Sequence, residues 1–150
     1  MRMDGLGQVP GDAVLSRWVS AAVAFEGWES IAEARRLAAS FLDGLRTVHG
    51  LTVSEWVSET VQLVVSELVT NTRKYAPGPC LLTLEVVEGG IEVSVWDSSP
   101  TPPTIMPPDP FRVGQHGLEI IARAARSVRI SREPVGKRIT AVVALDDGTR

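Results

Sequence analysis

Residues 55–79, E-W-V-S-E-T-V-Q-L-V-V-S-E-L-V-T-N-T-R-K-Y-A-P-G-P, constrain the fold more than any other stretch. Val57, Val61, Val64, Val65 and Leu68 recur at helical spacing and, at about 100° per residue, fall on one arc of a helix. That helix starts at Thr52 or Ser54 and stops at Ala76, because Pro77-Gly78-Pro79 can neither supply the next backbone hydrogen bond nor hold helical geometry. Glu67, Asn71 and Lys74 follow one another at separations of four and three, so they form a polar strip at the margin of the apolar arc. Glu67 and Asn71 offer oxygen ligands to a hard cation, and Lys74 offers charge to a phosphate. On spacing alone the strip fits a magnesium nucleotide site and equally a rim of ordinary helix-surface hydrogen bonds.

The other elements follow from local patterns. W-V-S-A-A-V-A-F reads as a first strand ending at Glu26-Gly27, and Ser30 with Glu33 forms a capping box opening a helix. Ile31, Ala34, Ala38, Phe41, Leu42 and Leu45 give that helix one apolar face, and it stops near His49-Gly50. Leu81–Val87 and Ile91–Trp96 are alternating runs joined through Glu88-Gly89-Gly90, which predicts a hairpin with one buried and one partly covered face. From Ser98 to Pro110 six of thirteen residues are proline, which excludes helix and ladder and leaves an irregular loop. G-Q-H-G-L-E-I-I-A-R-A-A then passes from glycine loop into helix, an anion-binding arrangement in principle and a plain loop otherwise. Val128–Ser131 and Ile139–Leu145 form a second hairpin, expected as interior strands of the same sheet. Strand, two helices, hairpin, loop, helix and hairpin make an α+β two-layer sandwich, with a mixed, mostly antiparallel sheet and its helices on one face.

Composition narrows the function classes. With 150 residues the chain is most simply one domain, and 15 basic against 18 acidic residues (net −3) give no nucleic-acid footprint. The single Cys80 excludes an internal disulfide and cannot build a zinc site alone; it reads as a small buried side chain at a strand start. His49, at a helix end, reads as a dipole partner. No apolar run approaches the ~18 residues of a membrane span, and the first residues lack a signal pattern, so a cytoplasmic location is expected. No G-x-x-x-x-G-K-[ST] loop and no Ser/His/Asp or Cys/His set is present.

E-x-x-x-N-x-x-K on a helix, a strand-ending aspartate before a long loop, and a glycine loop entering a helix, in this order, resemble the GHKL ATPase superfamily with its Bergerat ATP-binding fold. S-E-L-V-T-N-x-x-K-Y-A, V-W-D-S-x-P and G-x-H-G-L-E-I-I look most like the single-domain ATP-binding regulators of actinobacteria, relatives of the anti-sigma factor serine kinases. The resemblance covers about Val19 to Leu145 and implies a leader over 1–15 and one histidine-kinase-like ATP-binding domain over 16–148. It also implies ATP and Mg²⁺ as cofactors. Asn71 matches the magnesium-ligating asparagine, and Glu67 the carboxylate that acts as general base or orients the attacking group. Lys74 matches the basic residue near the phosphates, and Asp97 the aspartate that accepts the adenine amino group. Gly114, His116, Gly117 and Leu118 match the glycine box whose amides close over the phosphates, with Ser98 to Val113 as its lid. Two positions depart from the pattern: Asp97 is followed by Ser98-Ser99-Pro100 where relatives carry D-x-G-x-G, and Gly136-Lys137 stands where many carry a phosphate-touching Gly-Thr.

The implied function is a serine/threonine protein kinase of the anti-sigma type, with a sigma factor and an anti-sigma-factor antagonist as protein partners and a homodimer as its assembly. A partner switch driven by lid order without phosphate transfer is the alternative. The catalytic piece of a sensor histidine kinase is disfavoured, because no helix pair with a phosphoacceptor histidine precedes the domain.

Overall fold

The alternating runs at 80–97 build the centre of the sheet. In the computed structural model, which describes residues 19–99 and 116–145, Cys80–Val87 (β2) and Gly90–Asp97 (β3) pair in the register Val87↔Gly90 to Cys80↔Asp97. Leu82, Leu84, Val86, Ile91, Val93 and Val95 are buried on one face, and Glu85, Glu92 and Trp96 are half-buried on the other. The turn is Glu88-Gly89, while Gly90, expected in the turn, opens β3. On the half-buried face the Trp96 indole Nε1 donates to the Val135 carbonyl (2.9 Å) and Arg138 to Ser94 Oγ (3.1 Å).

Ser20–Phe25 (β1), β2, β3, Ser127–Arg132 (β4) and Lys137–Ala144 (β5) form one sheet in the order β1-β2-β3-β5-β4, with every neighbouring pair antiparallel. This corrects the expectation that both strands of the last hairpin are interior. β5 buries Ile139, Ala141, Val142 and Val143 and takes the place beside β3, whereas β4 exposes Ser127, Arg129, Ile130 and Arg132 and forms an edge. A strand with that many charged side chains is suited to an edge.

Ile31–Thr47 (α1), Glu55–Tyr75 (α2) and His116–Ala124 (α3) form the second layer. Ser30 Oγ accepts the Glu33 N–H and Ser54 Oγ the Val57 N–H, so Ser54 rather than Thr52 caps α2. α1 stops at Thr47, and Gly50 follows with a positive φ of 68°. α2 packs against α1 and α3 on its flanks and against β3 and β5 beneath. Its Val57, Val61, Val64, Val65, Leu68 and Val69 are fully buried, each contributing about 1.5–3 kcal/mol of transfer free energy. Cys80 is buried as expected, and burial pushes its thiol pKa up despite the opposing Arg73 charge.

A clamp fixes the C-terminal end of α2. The Glu29 carboxylate accepts the Glu26 N–H (2.9 Å) and the Gly27 N–H (3.0 Å), holding the turn between β1 and α1. Arg73 of α2 donates to the Glu29 carbonyl, lies 3.6 Å from the Glu29 carboxylate and stacks over the Phe25 ring. The Glu26 N–H lowers the Glu29 pKa most; partial burial opposes it, and the Gly27 N–H and Arg73 add to the lowering.

Two outcomes are expected. Leu68→Ala lowers unfolding stability by about 2–5 kcal/mol in urea titration, the range for a fully buried leucine; a loss below about 1 kcal/mol would place α2 outside the core. A carboxyl whose folded pKa is lowered stabilises the fold fully above its unfolded value, and the effect fades as pH falls through the folded value. Glu29→Gln is therefore less stable than the parent at neutral pH, and the difference in urea midpoint closes as pH drops below about 4.3. A difference that persists unchanged at about pH 2 would mean that the charge of Glu29 is not what holds the turn.

Candidate functional site

The polar strip of α2 is graded by burial. Glu67 is half-buried, Asn71 is 7 % exposed and Lys74 is open to solvent near the helix end. Asn71 lies one turn beyond Glu67, and its Oδ1 is buried with no hydrogen-bond partner among the described residues. An amide oxygen in that condition costs about 1–3 kcal/mol, so the fold carries an acceptor that its own groups leave unused. Thr72 beside it is 2 % exposed and its Oγ1 is likewise unpartnered. Nothing in the sequence pattern distinguishes that threonine from one bonded to its own helix.

The first turn of α3 comes down on this strip. Gly117 is buried, and a Cβ there would stand 3.1 Å from Glu67 Oε1, so the helix start approaches the carboxylate as closely as a glycine permits. The opening N–H groups of a helix have no intrahelical acceptor and favour negative charge. His116 begins α3, and Leu118 is half-buried against the core. Gly114, and the expected lid beyond Ser99, lie outside the described residues.

A second polar cluster sits where β3 ends. Asp97 is 2 % exposed; Ser99 N–H donates to Oδ1 (2.9 Å), and Lys137 Nζ lies 2.9 Å from Oδ2. Lys137 is itself 6 % exposed and is the register partner of Asp97 across β3 and β5. The departure at Gly136-Lys137 therefore acquires a definite place: Lys137 meets the aspartate. Gly136 makes this possible. Its φ is +80°, and a Cβ would fall 1.7 Å from the Asp97 carbonyl oxygen, so only glycine lets the β4–β5 turn close over the end of β3.

The two clusters share one end of the molecule. Registers Phe25↔Cys80, Cys80↔Asp97 and Asp97↔Lys137 form a single row across the sheet, and Arg73, two residues after Asn71, stacks on Phe25 and acts electrostatically on Cys80. The structure thus brings Glu67, Asn71 and Gly117 together, and joins Asp97 to the same end through Arg73 and Cys80. No contact among the described residues ties Lys74 to either cluster. Sequence reading missed Lys137 as the partner of Asp97, because the pairing of β3 with β5 is visible only once the sheet order is known.

The donors on the α2 strip are oxygens. No group of three His, Cys, Asp or Glu side chains converges among the described residues, so a cation there takes few protein ligands. Mg²⁺ binds in that way, completing its shell with water and phosphate oxygens, and the orphaned Asn71 Oδ1 fits it. No helix among the described residues is long and apolar enough to cross a membrane.

The family model for the histidine kinase-like ATPase domain matches residues 26–143, a span that includes α1 through nearly all of β5 and both polar clusters. No curated protein matches the chain. The five-stranded antiparallel sheet, the helices layered on it and the matched span agree: the chain belongs to the histidine kinase-like ATPase domain family of the GHKL superfamily, which implies an ATP-binding domain.

Proposed function

We propose that this chain is a regulatory serine/threonine protein kinase of the anti-sigma type, holding ATP and Mg²⁺ between α2, the end of β3 and the start of α3. The observation that carries the nucleotide site is Asn71 Oδ1, a buried acceptor with no partner among the described residues, one turn from the Glu67 carboxylate that Gly117 approaches at the start of α3. A fold leaves such an atom unsatisfied at a cost of about 1–3 kcal/mol, and a bound cation removes that cost.

In this reading Asn71 would hold the metal through Oδ1, and the metal would supply positive charge against that of the phosphates. Asp97 accepts the adenine amino group, the first-turn amides of α3 with Gly114 and His116 hold the phosphates, and Lys74 adds positive charge at the open end. Glu67 accepts the proton of a serine hydroxyl on a partner protein as its oxygen bonds to the γ-phosphorus, and the bond to the β,γ-bridging oxygen breaks to release ADP. The partners are a sigma factor, which the protein binds, and an antagonist, which it phosphorylates; the assembly is a homodimer.

Calorimetric titration with ATP and Mg²⁺ tests the site. Asn71→Ala and Asp97→Ala are each expected to weaken ATP binding at least tenfold, which is about 1.4 kcal/mol. Because Asn71→Ala deletes a buried amide oxygen with no partner among the described residues, its nucleotide-free melting temperature should equal or exceed that of the parent. A lower one would mean that the amide has a structural partner. No heat of binding at millimolar ATP would sink the nucleotide reading.

Transfer is tested separately. Glu67→Ala should keep ATP binding within a few-fold yet lose phosphate incorporation into the antagonist by about 10²–10⁴-fold, the range for a general base. Gly117→Ala should fold but impair transfer by crowding Glu67. If Glu67→Ala left incorporation unchanged, Glu67 would not be the base; if the parent showed nucleotide-dependent partner binding and no incorporation, the protein would be a partner switch without kinase chemistry.

A further inference from the structure

The Asp97 and Lys137 side chains are both more than nine-tenths buried at the end of the sheet, in contact at 2.9 Å. The carboxylate is purely an acceptor and the ammonium purely a donor, so together they present an acceptor and a donor side by side. Asp97 Oδ1 accepts the Ser99 N–H and Oδ2 meets the Lys137 ammonium; a carboxylate oxygen takes about two donors, so both keep acceptor capacity, including Oδ2 beside Lys137. Lys137 places one N–H on that oxygen, and an ammonium has others to give.

The Watson–Crick edge of adenine has the complementary order, the exocyclic amino group as donor and N1 beside it as acceptor. We infer that Lys137 is a base-reading residue, donating to adenine N1 while Asp97 accepts the amino group, so that the buried ion pair reads two adjacent atoms of the base. The inference rests on the proposed nucleotide site and adds to it the residue that distinguishes adenine from a purine lacking the N1 acceptor.

The geometry accounts for the position of Lys137. Its backbone is fixed by the β3–β5 register opposite Asp97, Gly136 presses the preceding turn against the Asp97 carbonyl, and the ammonium is held 2.9 Å from the Asp97 carboxylate. A lysine buried there without a task beyond pairing Asp97 is a weak stabiliser, since a buried pair recovers little more than its own desolvation. Contact with the base gives the second charge a use that a hydrophobic pair lacks.

The experiment compares ATP with 1-deaza-ATP, which keeps the amino group and replaces N1 by C–H, in calorimetric titrations with Mg²⁺. The parent protein is expected to bind 1-deaza-ATP about tenfold more weakly than ATP, the worth of one hydrogen bond from a charged donor. Lys137→Met is expected to bind the two nucleotides equally. Removing one member of a buried pair can unfold a protein, so Asp97→Asn/Lys137→Met, which leaves no lone charge, is measured beside it with circular dichroism as the check on folding. This double variant should also bind the two nucleotides equally.

Equal binding of the two nucleotides by the parent would overturn the assignment of Lys137 and leave the ATP site standing. A preference for ATP that persists in both folded variants would do the same. Failure of the parent to bind either nucleotide would overturn the site itself, and the inference with it.

Discussion

One helix carries both the core and the site, and most of the structure follows from that constraint. α2 is held by α1 and α3 on its flanks and by β3 and β5 beneath, with six fully buried aliphatic side chains along it. Its rotation about its own axis is fixed, because turning it would pull Val61, Val65 and Leu68 out of the core. Glu67 and Asn71 lie on that same cylinder and inherit its rigidity. The position of the polar strip is therefore a by-product of hydrophobic packing, and Glu67 and Asn71 need no packing of their own to be placed.

The end of β3 is determined differently, by electrostatics and backbone geometry. Asp97 is buried to 2 % exposure at a strand terminus, where it would be costly alone. Lys137 supplies the opposite charge and the Ser99 N–H a further donor. Both depend on Gly136, since any side chain there would collide with the Asp97 carbonyl and push the β4–β5 turn away. The hairpin of an edge strand thus controls the state of a carboxylate two strands in. At the other side of the row the Glu29–Arg73 clamp ties the end of α2 to the β1–α1 turn, so the two layers are joined at the same end as the polar clusters.

What was legible in the sequence is what is local. Ser30 and Ser54 announce their helices through side chains that accept N–H groups three residues on, and Pro77-Gly78-Pro79 ends α2 through chain geometry; neither signal involves a distant residue. The alternation in β2 and β3 gives the buried face correctly for the same reason. Sheet order is a different kind of fact. That β5 and not β4 lies next to β3 depends on which strand has the more apolar set to bury, a comparison between strands far from β3 in sequence. The partner of Asp97 follows from that order and could not be read without it. The approach of Gly117 to Glu67 depends on how α3 docks, across residues outside the described part of the chain. Glu67, Asn71 and Asp97 were legible as candidates because chemistry-bearing residues interrupt otherwise apolar patterns; their surroundings were not.

The burial of polar groups at one end of a well-packed molecule needs a reason beyond folding. Asn71 Oδ1 and Thr72 Oγ1 are buried with no partner among the described residues, and Asp97 and Lys137 neutralise one another where aliphatic side chains of similar volume would serve stability as well or better. Each of these groups lowers the stability of the empty protein relative to an apolar substitute, and all cluster at the meeting of α2, β3 and β5, while the opposite end of the same layers is closed by Leu84, Val86, Ile91 and Val143. A ligand that supplies a cation to Asn71 and a donor and an acceptor to the Asp97–Lys137 pair would satisfy those groups, and its binding free energy would include the relief of these costs. The empty domain is then less stable than its own core permits, and the difference is located where a nucleotide would remove it.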